Sequence, residues 1–127
     1  MQALELRLGN TVKTTEGLEE VTVELLGLIE YKSEKVEAIV LTREILENMG
    51  FVEHNQTGNY KIPVGYYTNG NGDEKQSTLK IKQIKHSRGQ NQWRVENFAN
   101  KTIYIHSVHQ LQNLYFALTG KDLELNL

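Results

Sequence analysis

Residues 107–120 constrain the architecture more than any other stretch. Ser107-Val108-His109-Gln110 has the pattern of a capping box, in which Ser107 reaches forward and Gln110 reaches back to free backbone N–H groups. Val108, Leu111, Leu114, Tyr115 and Leu118 then repeat at helical spacing, and Gly120 offers a stop. The helix this predicts carries one apolar stripe, which has to be buried against something. The rest of the chain supplies mostly short strand-like runs. The sequence therefore reads as α+β: mostly antiparallel strands, one short helix, and this C-terminal helix packed on the sheet. Its 127 residues fit one domain, 1–127. A chain of that size buries roughly two thirds of its unfolded surface without staples.

In the first forty residues, Leu4, Leu6 and Leu8 alternate with Glu5 and Arg7, and Gly9-Asn10 marks a turn. After a second turn at Glu16-Gly17, Val21-Thr22-Val23-Glu24-Leu25 is rich in β-branched residues and predicts a strand. Gly27 and Lys32-Ser33-Glu34-Lys35 punctuate two more short apolar runs, Leu28-Ile29 and 36–41. Together these suggest a meander or small barrel resembling an SH3-type fold. Thr42, Glu44 and Gly50 bracket a short helix over 43–49, followed by a strand from Phe51. Tyr60-Lys61-Ile62-Pro63-Val64 reads as extended, with Pro63 pointing to a sheet edge. Asn69-Gly70-Asn71-Gly72-Asp73 is a turn, 78–85 a strand, Gly89-Gln90-Asn91 a turn into Trp93-Arg94-Val95, and Ile103-Tyr104-Ile105 another strand. The alternating tail 123–127 predicts a final strand.

There is no cysteine, which removes disulfides, thiolate metal sites and cysteine nucleophiles and fits a cytosolic protein. The opening residues predict no secretory leader, and no apolar run approaches the ~20 residues of a membrane span. Net charge is −2, unevenly spread: residues 1–50 hold ten acids and five bases. Residues 75–95 hold Lys75, Lys80, Lys82, Lys85, Arg88 and Arg94 with no acid, the one basic block in the chain.

Three segments carry a resemblance: Glu5-Leu6-Arg7-Leu8-Gly9-Asn10, then Leu41-Thr42-Arg43-Glu44-Ile45-Leu46 closing at Gly50-Phe51, and His109-Gln110-Leu111-Gln112-Asn113-Leu114-Tyr115-Phe116-Ala117-Leu118-Thr119-Gly120 with its Leu-Glu-Leu tail. They resemble a family of small uncharacterised proteins of phages, prophages and mobile elements in Bacteroides-type bacteria. The resemblance implies a mobile-element origin and a bacterial cytoplasm, and no particular activity. Residues 52–104 depart from it.

Catalytic signatures are missing from the sequence: no Gly-x-Ser-x-Gly, His-Glu-x-x-His, Walker loop or Gly-x-Gly-x-x-Gly occurs. His106 and His109 flank the predicted cap and have no neighbouring acid to complete a metal set; His109 is expected to bond a strand or face solvent. The Asn69–Asp73 stretch looks like a calcium loop but lacks the downstream glutamate. No cofactor is implied, and the expectation is a protein that is not an enzyme. The basic block is the candidate site. In an extended segment Lys80 and Lys82 share a face, with Arg88 in the following loop and Trp93 and Arg94 beyond. These residues could bind phosphates, with Trp93 or Tyr67 stacking on a base. The competing reading is a solvated hairpin with Trp93 in the core.

The function this supports is a non-enzymatic accessory protein that captures a host protein or a nucleotide-like ligand, in a setting of countering host defence. The alternatives are a nucleic-acid-binding accessory domain, or a structural or assembly component of a phage. The last predicts a homo-oligomer, which ligand capture also allows.

Overall fold

Val12 and Thr14 are buried and Lys13 between them is exposed, the pattern of a half-buried strand. This is β1 (Thr11–Thr14), paired antiparallel with β2 (Gly17–Glu20). Gly17 takes φ +114° at the return, a value that other residues rarely adopt. The computed structural model of the chain describes residues 6–14, 16–30, 36–54, 58–85, 91–96 and 103–125.

The strand expected over 21–25 is instead the approach to a helix, α1 (Val23–Glu30). Thr22 Oγ1 accepts from the Leu25 N–H at 3.2 Å, and Glu24 sits in the first turn, where the helix dipole favours an acid. Val21 and Leu25, four apart, are buried with Val12 and Val36 in a small apolar cluster, whereas Val23 is 72% exposed. A strand would have put Val23 on the same face as both. Leu28 and Ile29 continue the backbone of α1. Among the described residues the expected meander or barrel is thus a two-stranded hairpin, a helix and an extended connector. The connector bonds Lys13 through Glu37 (2.8 and 3.0 Å), and Leu41 donates to the His106 carbonyl at 2.9 Å. Leu6 and Leu8 lie ahead of β1 outside any strand, and Leu4 lies outside the described residues.

Thr42 caps α2 (Arg43–Asn48) as its sequence suggests, accepting from the Ile45 N–H at 3.2 Å. The main sheet follows in the order β3 (Val52–Glu53), β4 (Asn59–Thr68), β5 (Glu74–Lys85), β6 (Asn91–Glu96) and β7 (Ile103–Ile105), all antiparallel. The β4–β5 turn is held by Asn69, whose Oδ1 accepts from Asn71 N–H (2.9 Å) and Asp73 N–H (3.0 Å). Pro63 is one strand in from the edge, but β3 pairs only with Tyr60 and Lys61. Pro63 therefore lies past the end of β3, where a missing N–H forfeits no described ladder bond. It also adjoins a bulge, since Pro63 opposes Thr78 and Gly65 opposes Ser77, with Val64 inserted between.

One face of this sheet is apolar. Tyr60, Ile62, Leu79, Ile81, Trp93, Val95 and Ile105 pack with Leu41, Leu46 and Met49 around α2 and with Val108 and Leu111 of α3 (Val108–Thr119). Ser107 caps α3 differently from the expected box. Its hydroxyl pairs with His109 Nδ1 at 3.1 Å, and Gln110 Oε1 accepts from the His106 N–H at 2.8 Å, one residue earlier than Ser107. His109 is buried, so it does not face solvent. Gly120, at φ +71°, closes α3 in the left-handed conformation. The stripe is buried only in its first half; Leu118 is exposed. No strand forms over 123–125: Leu123 is buried, and its carbonyl accepts from Gln112 Nε2 at 2.9 Å rather than from a neighbouring strand. Asn126 and Leu127 lie outside the described residues.

Gln112 joins the two halves of the chain. Its Oε1 accepts from the Thr11 N–H at 2.8 Å, and its Nε2 donates to Thr11 Oγ1 and the Leu123 carbonyl. Asn10, also fully buried, donates to Asn113 Oδ1 at 2.8 Å, and Arg7 pairs with Asp122 and lies 4.0 Å over the Phe116 ring. Gln112→Leu orphans buried groups that cost about 1–3 kcal/mol each. It is expected to lower the free energy of unfolding by about 2–4 kcal/mol in urea titrations; a loss under about 0.5 kcal/mol would show that the network does not hold the hairpin to α3.

Candidate anion-binding face of the sheet

The strand periodicity that sends Tyr60, Ile81 and Val95 inward sends their neighbours outward. Lys61 stands directly opposite Lys80, and Lys80 opposite Glu96. One step along, Asn59, Lys82, Arg94 and Tyr104 form a second row across four strands. α2 and α3 pack their apolar residues on the other face, and on this one Lys61, Lys80 and Lys82 are exposed, so it is open among the described residues. His54, Asn59, Tyr60, Lys61, Lys80, Lys82 and Glu96 line a depression of about 390 Å³ on it.

Its charges are unbalanced. Arg94 is committed to Glu96, with Nε and Nη2 reaching the same carboxylate oxygen at 3.1 and 2.8 Å. That hydrogen bond, and then the charge of Glu96, raise the Arg94 pKa further. Lys61, Lys80 and Lys82 have no ion pair with any described carboxylate. Cross-strand neighbours have Cβ atoms about 5 Å apart, and like charges so placed repel. Around the depression Lys61, Lys80, Lys82 and Arg94 thus share one described carboxylate, Glu96, and an anion would relieve the excess of positive charge.

Lys80, Lys82 and Arg94, singled out in the sequence, are brought together here. Trp93 is not among them. It is fully buried on the opposite face, its ring 5.7 Å from Tyr60 in an edge-to-face contact and its Nε1–H donating to the Leu41 carbonyl at 3.4 Å. Tyr67 is exposed but opposes Lys75, whose odd position on β5 puts both on the side away from Lys80 and Lys82. Arg88 lies outside the described residues. Lys61, Asn59 and His54 join the site without having been expected from the sequence. Lys61 was legible as the outward residue between Tyr60 and Ile62, but its partner depends on the bulge.

Tyr60 forms part of the depression's lining while its side chain is buried, and burial, then the charge of Glu53, raise its pKa above 10.0. At neutral pH both native and unfolded chains keep the phenol proton. Above pH about 10 the unfolded chain releases it first, so stability falls as pH rises, by at most about 1.4 kcal/mol per unit. Chemical denaturation across this range should show the loss, and Tyr60→Phe should flatten it. An unchanged slope in the variant would mean that another group is responsible.

A second, larger depression of about 550 Å³ lies between β2 and the segment after α3, lined by Glu19, Glu20, Asp122 and Glu124 among others. Among the described residues no group of His, Asp and Glu converges to hold a metal ion. No described helix is long and apolar enough to cross a membrane. Compared with family models, with curated proteins and with solved structures, the chain matches none.

Proposed function

We propose that the protein is a non-enzymatic binding protein that holds a phosphate-bearing, nucleotide-like ligand on the open face of its main sheet. The observation that supports this is the group Lys61, Lys80 and Lys82, unpaired with described carboxylates around one depression. Phosphate oxygens would take the ammonium groups as point-charge partners, and Asn59 and His54 add polar groups at the rim. The resemblance to mobile-element proteins gives such capture a setting, a bacterial cytoplasm in which a host signal or partner is withheld.

Native mass spectrometry of the whole chain, with and without added nucleoside triphosphates, tests the reading. A nucleotide retained at one per chain and lost in Lys61→Ala/Lys80→Ala supports it. A chain that retains none, or that hydrolyses the nucleotide, overturns it.

A further inference from the structure

The bulge at Val64 changes which tyrosine joins the lysines. Without the inserted residue, simple alternation from Ile62 would turn Tyr66 inward and Tyr67 outward. With it, Tyr66 opposes Gln76, whose even position on β5 is shared by Lys80 and Lys82. Tyr66 is 68% exposed. At the other end of the face Tyr104 opposes Arg94, which opposes Lys82, and it is 48% exposed. The open face therefore runs as one band: Tyr104 and Arg94, then Lys82, then Lys80 with Lys61 and Glu96, then Thr78, then Gln76 with Tyr66, with Glu74 beyond it at the turn.

From this placement we infer that the ligand of the face is a single-stranded nucleic acid laid along β5. The inference rests on the anion-binding reading and goes beyond it in naming a polymer. Alternate residues of a strand are about 6.6–6.8 Å apart, comparable with successive phosphates of an extended single strand. From Lys82 to Gln76 is about 20 Å, so the band takes about three to four nucleotides. Its two exposed tyrosines stand at opposite ends and on either side of β5, Tyr66 one strand away and Tyr104 two strands or about 10 Å away, so bases splayed to opposite sides of a backbone along β5 are needed to stack on both. Bases splayed over an aromatic-bearing sheet face, with cations along the backbone, are a recurrent single-strand binding mode. Duplex readout would call for an element inserted in a groove, which this open face does not provide. Because the whole chain carries −2, attraction arises from the band at close range.

Fluorescence anisotropy of the whole chain with labelled oligothymidylates of two, four and eight nucleotides tests this, with ATP and a glutamate octapeptide as competitors. The expected result is an affinity rise of about tenfold or more from two to four nucleotides, and little beyond. Raising salt from about 50 to about 200 mM should weaken the four-nucleotide complex about twentyfold, as three neutralised phosphates imply. Tyr66→Ala should lose about tenfold on the four-nucleotide probe and nothing on ATP, while Tyr66→Phe retains binding. Tyr66 is exposed, so circular dichroism should show both variants folded. ATP binding with no dependence on oligonucleotide length would overturn the polymer and leave the anion reading standing. Competition by the glutamate peptide equal to that of the oligonucleotide would replace it with an acidic protein partner. Failure of both ATP and oligonucleotides to bind would remove both readings.

Discussion

Trp93→Ala is expected to lower the free energy of unfolding by about 3–5 kcal/mol, a large share of the roughly 5–15 kcal/mol that a domain of this size has. The indole is fully buried, so the substitution removes its transfer free energy and leaves a cavity among Leu41, Tyr60 and their neighbours. It also removes an edge-to-face contact worth about 0.5–1.5 kcal/mol beyond burial. Trp93→Phe keeps a ring in place and loses only the long bond to the Leu41 carbonyl and some volume, so it should cost about 1–2 kcal/mol. Urea titrations give both values. The conservative variant separates the two roles that the sequence left open for this residue: it should bind nucleotide as tightly as the parent. A Trp93→Phe chain that is stable but has lost its ligand would put the indole back at the site.

The second large effect concerns charge. Lys80→Glu with Lys82→Glu is expected to weaken ligand binding at least about a hundredfold, since each ammonium makes a charge-assisted bond to phosphate and a carboxylate in its place repels the ligand. Stability should stay about the same. Exchanging Lys80 for an acid turns its repulsive cross-strand pair with Lys61 into an attractive one and its attractive pair with Glu96 into a repulsive one, each worth about 0.2–1 kcal/mol and of opposite sign. Lys75→Glu is the control. It reverses one lysine where the test variant reverses two, on the same strand but on the other side of the sheet, and should leave affinity within about twofold. Calorimetric titration and thermal melts on the three proteins decide it. Equal loss from Lys75→Glu would mean that the basic block acts through net charge and not through one face.

Local chemistry was the most legible part of the sequence. Thr42 and Gly120 bracket helices by their own side-chain and backbone properties, and Asn69 through Asp73 makes its turn through bonds within five residues. Val21 to Leu25 misled because its residues satisfy two periods at once; Thr22's cap and the burial of Val12 and Val36 select the helical one. Gln112 is polar within an apolar stripe, and only the distant Thr11 and Leu123 explain why it is buried.

The candidate site was half legible for a related reason. That Lys80 and Lys82 share a face follows from strand geometry alone. Lys61 and Tyr66 join them only through register, and the register is interrupted. Thr68 opposes Glu74 at the turn, and an unbroken ladder from there would set Lys61 against Ile81. The apolar residues of the two strands would then face opposite sides. One inserted residue at Val64 reconciles the turn with the core, aligns Lys61 with Lys80, and exchanges Tyr67 for Tyr66 on the open face. Tyr60 and Ile62 against Leu79 and Ile81 contain that information, but it emerges only when the turn and the core are considered together.

The most direct measurement is an amide chemical-shift titration of the isotopically labelled chain with a thymidine tetranucleotide. Shifts are expected to concentrate at Asn59, Lys61, Tyr66, Lys80, Lys82, Arg94 and Tyr104, with Gln112 and the α3 amides unmoved. Shifts confined to the acidic side near Glu19 and Asp122, or no shifts at low salt, would contradict this.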